Sequence, residues 1–333
     1  MTLHGALPSF RRMPEEIAAK VSPNVADLVK CPSGARLRFK TNSRSIRLEA
    51  EFREANVNCA ADVLCDGVLM GRVGPFGYGE GETDRIEGTL PLSDDGKMHT
   101  VTLYLSRTVE TGSISVTLDD GADVAPADAY TISKPIVFYG SSITMGAMAT
   151  SPSEAYTALV AERLGADHIN LGFGGSALGE TPMAEYIASL EMSAFVLDYE
   201  HNAPTLDHLK ATHKPFFDIV RAAHPTLPIL IVSRPDTDGD YLRVYGGRRI
   251  IMDTFHAALD AGDNMVDFVD GSFLWGNEDR ESCHMEGDPH PNSKGFARTA
   301  DVIAPRLKRL MDRVPALAES EEDGRDEQYR RRL

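Results

Sequence analysis

The chain predicts a three-layer α/β/α domain with a five-stranded parallel sheet, preceded by an all-β domain of jelly-roll type. Three observations predict it. Residues from about 30 to 122 alternate polar and apolar side chains in short runs broken by turn signals, as half-buried strands do. From about 133 onward, apolar runs alternate with amphipathic stretches at helical spacing, which implies parallel strands covered by helices on both faces. The residues able to do chemistry follow the strands of that second half, where an open α/β sheet gathers its reactive loops.

In the first half, segments 36–40, 45–50, 99–105 and 113–118 carry the alternation. Pro32-Ser33-Gly34, Asp66-Gly67, Asp94-Asp95-Gly96 and Asp119-Asp120-Gly121 separate them as turns. Short strands punctuated in this way suggest a β-sandwich. Residues 122–128 read as a linker or bridging loop. In the second half, strands are expected at 135–139, 168–172, 194–199, 228–233 and 265–270. Helices are expected near 154–164, 182–191, 206–223, 247–261 and 295–313. The expected units are therefore 1–130, 131–315 and a charged tail, 316–333.

Composition bounds the function. A length of 333 residues is long for one domain and suits two. The net charge of 34 − 50 = −16 argues against nucleic acid or an anionic membrane surface as partner, since either selects a basic face. No apolar run approaches the roughly 20 residues that span a bilayer, and the N-terminus lacks the basic-then-apolar pattern of a signal peptide. Cys31, Cys59, Cys65 and Cys283 lack a C-x-x-C spacing and read as free thiols of a reducing, cytoplasmic compartment, with a Cys59–Cys65 disulfide as the alternative. His208, His213 and His224 show no zinc pattern and GxGxxG is absent, so neither a metal nor another cofactor is expected.

Four features carry the chemistry. Tyr139-Gly140-Ser141-Ser142-Ile143-Thr144 puts a serine on a tight turn after the first parallel strand. Asn170-Leu171-Gly172-Phe173-Gly174-Gly175-Ser176 follows the second, and its glycines let backbone N–H groups approach a developing oxyanion. Asp198-Tyr199-Glu200-His201-Asn202 follows the third, and the Asn202 amide is an uncharged donor. Glu286-Gly287-Asp288-Pro289-His290-Pro291-Asn292 precedes the last helix. A serine hydroxyl is a poor nucleophile until a base takes its proton, and an imidazole oriented by a carboxylate does this best.

In this order the blocks resemble those of the SGNH hydrolases, also called GDSL esterases and lipases, over roughly residues 133 to 315. The stretch Asp62-Val63-Leu64-Cys65-Asp66-Gly67 further resembles the GxDLY-type domain that precedes some of them. The resemblance implies Ser142 as nucleophile, His290 as base, and an oxyanion hole of the Ser142 and Gly175 backbone N–H groups with the Asn202 side chain. Ser141 replaces the usual first-block aspartate, and Tyr199-Glu200-His201 replaces a Gly-rich lead-in. The family's acid normally stands three residues before the histidine, where this chain has Gly287. Asp288 then supplies an Asp-x-His spacing, Glu286 is the rival, and a Ser–His dyad oriented by a backbone carbonyl is a third arrangement. The expected activity is hydrolysis of a small acyl ester, acetyl first, of a carbohydrate or similar alcohol. An O-acyltransferase with the same triad and an inactive binding protein on the same scaffold are the alternatives.

Residues of less weight are Asp236, Asp238, Asp240, Tyr241, Tyr245, Arg248 and Arg249 as pocket formers, His201 beside Asn202, and Trp275 as core. The loop 74–79 either reaches the cleft or serves self-association, so a homo-oligomer is compatible with the chain.

Overall fold

The computed structural model describes residues 10–75, 80–235, 240–288 and 290–314. Two short helices open it, α1 (Glu15–Val21) and α2 (Pro23–Leu28), the second capped by Ser22, whose side chain accepts from the Val25 N–H at 3.1 Å. Eight strands follow: β1 (Arg36–Thr41), β2 (Ser45–Asn56), β3 (Ala61–Cys65), β4 (Val68–Val73), β5 (Thr83–Pro91), β6 (His99–Tyr104), β7 (Thr111–Leu118) and β8 (Val124–Pro126). They form two antiparallel sheets, ordered β4-β3-β6-β1-β8 and β5-β2-β7. Strand β2 shows why: Ile46, Leu48, Ala50 and Phe52 point inward while Arg47 and Glu51 face water, the period-two pattern of a sheet with one wet face. These side chains meet Leu37, Phe39, Val63, Val101 and Leu103 between the sheets. The expected linker at 122–128 is structured instead, because β8 extends the first sheet by pairing with β1.

Five parallel strands build the second half: β9 (Ile132–Gly140), β10 (Ala166–Gly172), β11 (Ala194–Asp198), β12 (Ile229–Val232) and β13 (Val266–Val269), in the order β10-β9-β11-β12-β13. The helices between them are α3 (Ser142–Met145), α4 (Tyr156–Arg163), α5 (Thr181–Ala188), α6 (Leu206–Ala223), α7 (Tyr241–Asp260) and α8 (Ser293–Met311). Interior strand β9 is buried on both faces. Val137 and Tyr139 pack with α5, α6 and α7, and Ile136 and Phe138 with α4 and α8. The chain goes from β9 outward to β10 and then returns to β11 on the other side. The crevice beyond the carboxyl ends of β9 and β11 is thus the topological switch point, where such sheets bind ligands.

Two departures from the expected organisation have physical causes. Met13, Ala18, Val25 and Val29 lie in the core of the α/β half, so the N-terminal helices pack there although the expected first unit, 1–130, grouped them with the sandwich. Helix α7 starts at Tyr241 rather than near 247, because the Asp240 side chain caps it by accepting from Arg243 N–H at 3.2 Å. Gly246-Gly247 argues against a helix on propensity alone, but a Cβ on Gly247 would lie 2.1 Å from Glu200 Oε1. Close packing required the glycine.

Strand β10 is the sheet edge beside the sandwich, and its outward carbonyls are capped by arginines. Arg36 of β1 donates to His168 O at 3.4 Å, and Arg12 donates to Asn170 O at 3.3 Å and to Gly172 O. Covering an edge in this way removes a template for unwanted strand pairing. Burial lowers the Arg12 pKa to about 10.

Candidate active site

The turn that carries Ser142 is set by a glycine that admits no side chain. A Cβ on Gly140 would lie 2.1 Å from Thr144 Oγ1 and 2.2 Å from the Asp198 carbonyl oxygen on the adjoining strand. Immediately afterwards the Ser141 side chain accepts from Ile143 N–H at 3.1 Å and starts α3. Ser142 is the first residue of that helix, so its own N–H has no intrahelical acceptor.

The loop before α8 brings His290 to this serine, with Ser142 Oγ 2.7 Å from His290 Nε2. The loop is closed by Met285 N–H to His290 O at 3.1 Å and Asn292 N–H to Cys283 O at 3.0 Å. Asn292 also caps α8, accepting from Gly295 N–H at 3.1 Å. Gly287, at φ +70, allows the tight return that a side chain would strain. Asp288 Oδ1 then accepts the His290 backbone N–H at 2.8 Å and pairs with Nδ1 of the same ring. With Nδ1–H donated to Asp288, Nε2 is the acceptor turned to the serine hydroxyl. Partial burial pushes the Asp288 pKa up, but the hydrogen bonds from His290 outweigh it and hold the carboxyl below its ordinary value. Glu286 is exposed, and no hydrogen bond joins it to His290 among the described residues.

Opposite the histidine stand Gly175 and Asn202. Gly175 adopts φ +66 with open space where a Cβ would be, so its backbone is presented to solvent. Its N–H donates to Asn202 Oδ1 at 3.2 Å, while Asn202 Nδ2 donates to Phe173 O at 2.9 Å. An NH₂ group carries a second hydrogen, which remains for a ligand. The long Gly175 contact is one that a stronger, charged acceptor would displace.

Beneath the serine lies a polar knot that no motif spacing flagged. Asp198 Oδ2 accepts from Tyr156 OH at 2.9 Å and from Thr144 Oγ1 at 3.1 Å. Burial raises the Asp198 pKa to about 7, against the pull of those two hydrogen bonds. The only sequence signal was an acid at the end of an otherwise apolar run. Two further sandwich residues were missed. Asp62 Oδ2 accepts the Ser153 N–H and hydroxyl at 2.7 and 2.6 Å, and Arg107 donates to Ala149 O at 2.8 Å.

Of the lesser candidates, the His201 ring centroid lies 6.1 Å from that of His290. Tyr241 and Tyr245 are exposed with their tilted rings 4.1 Å apart, centroid to centroid, and Arg248 pairs with Asp270 at 3.1 Å. Trp275 is fully buried and stacks on His284, as a core residue. Asp236, Asp238 and residues 76–79 of the 74–79 loop lie outside the described residues, as do Pro289 and the tail 316–333. The four cysteines are free thiols.

The sequence profile of the GDSL-like lipase/acylhydrolase family matches residues 133–308, more than half of the chain. The chain belongs to this family. This GDSL-like protein is thereby a carboxylic ester hydrolase, and residues 4–61 match the N-terminal region of SGNH-hydrolase-type esterases. A solved structure described as a GDSL-like lipase from Bacteroides ovatus is similar at TM-score 0.79 and 23% identity, covering 92% of this chain and 93% of the other. A salicylyl-acyltransferase from a tetracycline biosynthetic pathway has TM-score 0.72 and 24% identity over 94% of both chains. A family two carbohydrate esterase from Clostridium thermocellum, solved with cellohexaose, has TM-score 0.62 and 16% identity over 83% and 92%. At these identities the likeness is one of fold. No curated protein sequence matches the chain.

Proposed function

We propose that this GDSL-like protein is a serine esterase that removes a small acyl group, acetyl first, from a carbohydrate or similar polyhydroxylated alcohol. The observation that carries the reading is the 2.7 Å contact between Ser142 Oγ and an imidazole whose other nitrogen is paired with Asp288. In the proposed reaction His290 Nε2 takes the Ser142 proton as Oγ bonds to the ester carbonyl carbon. The carbonyl oxygen becomes anionic and is held by the Ser142 and Gly175 N–H groups and the free hydrogen of Asn202 Nδ2. As the carbon–oxygen bond to the alcohol breaks, His290 returns its proton to the leaving alkoxide. Water then attacks the acyl-serine with His290 again as base, releasing the acid. The sugar alcohol is supported by the fold shared with carbohydrate esterases, one of them holding cellohexaose. The shared fold with a salicylyl-acyltransferase favours one second reading, in which an acceptor hydroxyl replaces water in the last step.

A fluorophosphonate probe tests the nucleophile: wild type is labelled and Ser142→Ala is not. Hydrolysis of p-nitrophenyl esters of graded length and of acetylated sugars, with and without acceptor alcohols, then tests substrate and water. Asn202→Ala is expected to keep the fold and lose about 10²–10³ in turnover. Unchanged turnover in that variant removes Asn202 from the oxyanion hole.

A further inference from the structure

The open end of the β-sandwich holds a second convergence of reactive side chains, built from two paired strands. Cys65 ends β3 and stands opposite Val101 of β6, so Cys65, Val101 and His99 share one face of the pair. Cys65 is 7% exposed, and its sulfur, an Asp66 oxygen and a His99 ring nitrogen all lie within 4.8 Å of one another. Asp66 Oδ2 is 2.6 Å from His99 Nδ1, and Oδ1 of the same carboxylate accepts Thr100 N–H at 2.8 Å. On the far side of the ring, Asp95 Oδ1 is 2.7 Å from Nε2.

A thiol, an imidazole and a carboxylate converging from three residues make the mixed S, N and O donor set that Zn²⁺ takes, at about 2.0–2.3 Å per ligand. A carboxylate on the second imidazole nitrogen is what orients a metal-bound histidine, and Asp95 stands there. We propose that Cys65 Sγ, His99 Nδ1 and an Asp66 carboxylate oxygen form a Zn²⁺ site, with Asp95 holding the His99 ring from behind. On binding, the Cys65 S–H bond breaks, an S–Zn bond forms and the proton passes to water, with no change in oxidation state. The ion would tie the ends of β3 and β6 to the loop carrying Asp95. Sequence spacing hid the set because Asp66 and His99 stand 33 residues apart and meet only across the sheet.

The full chain, stripped by a chelator and dialysed, is titrated with Co²⁺ as a spectroscopic stand-in for Zn²⁺. Expected is one Co²⁺ per chain, with a thiolate-to-cobalt charge-transfer band and tetrahedral d–d bands, all discharged by Zn²⁺. The charge-transfer band is lost in Cys65→Ala and kept in Cys31→Ser, and Asp95→Asn weakens binding about 10–100-fold. His99→Gln changes a partly exposed residue and serves as the check if Cys65→Ala does not fold; it loses the tetrahedral spectrum. A silent titration of wild type, or bands that survive both Cys65→Ala and His99→Gln, overturns the proposal and leaves Asp66, His99 and Asp95 as a salt-bridged triad.

Discussion

A carboxylate two residues before a histidine reaches the ring only if the chain folds back between them. Here Gly287 at φ +70 and the Asp288 N–H to Met285 O bond at 3.1 Å make that return, and one carboxylate oxygen serves both the backbone N–H and the ring of His290. Asp288→Asn keeps the shape but removes the tautomer control, so kcat on p-nitrophenyl acetate is expected to fall by up to about 10⁴-fold. Glu286→Gln, on an exposed side chain, is expected to leave kcat near wild type. The reverse ranking would transfer the acid role to Glu286. Asp198 gives a second residue-scale expectation. Its carboxyl titrates near 3.9 when unfolded and at about 7 when folded. Between those values the native state holds the extra proton, so this group makes stability fall as pH rises, and its effect levels off above about 7. The contribution is up to about 1.4 kcal/mol per pH unit. Urea unfolding at pH 5 and pH 7 is expected to show that Asp198→Asn loses this downward component; parallel wild-type and variant profiles would refute it.

At the scale of elements, the two glycines flanking the site do different jobs and predict different outcomes. Gly140 ends β9 against the Asp198 carbonyl, 2.2 Å from where a Cβ would sit, so Gly140→Ala must displace β11 or the α3 turn. Loss of cooperative folding or of soluble protein is expected. Gly175 has free space but a left-handed backbone, so Gly175→Ala is expected to fold with a loss of about 1–2 kcal/mol in urea unfolding. Equal behaviour of the two variants would contradict the packing account. The same division governs what was readable in advance. Strands 135–139 and 168–172 and helix 206–223 were legible because apolar period and length agree with the local structure. The first turns of α7 were not, since a double glycine opposes a helix locally, and the Asp240 cap together with close packing on Glu200 and Leu206 carries them.

At the scale of the whole molecule, the sandwich grips the segment that follows Ser142. Asp62 holds Ser153, Arg107 holds Ala149 O and Arg72 donates to Thr150 O at 2.6 Å. Ser293, three residues beyond His290, donates to Glu154 Oε2 at 2.6 Å and accepts Thr150 N–H at 2.9 Å. Serine turn, sandwich and histidine helix are thus bound into one frame. Asp62→Ala leaves two buried Ser153 donors unpaired, which costs about 1–3 kcal/mol. Lower denaturant midpoint together with lower kcat is expected, with Asp62→Asn recovering part of both. A drop in stability with kcat unchanged would limit the sandwich to a structural role.

Residue types and their order sufficed for the fold class, the four reactive blocks and their positions at strand ends, because periodicity and turn chemistry are local properties of a chain. The order of blocks by itself also points to the family. Distances between segments are not local. Only the folded chain could pair Asp288 with the His290 ring, bury Asp198 below the serine, set Asp62 against Ser153, and bring Cys65 beside His99. Each of those depends on side chains far apart in sequence sharing a few ångströms of space, and burial, not spacing, sets their charge and partners.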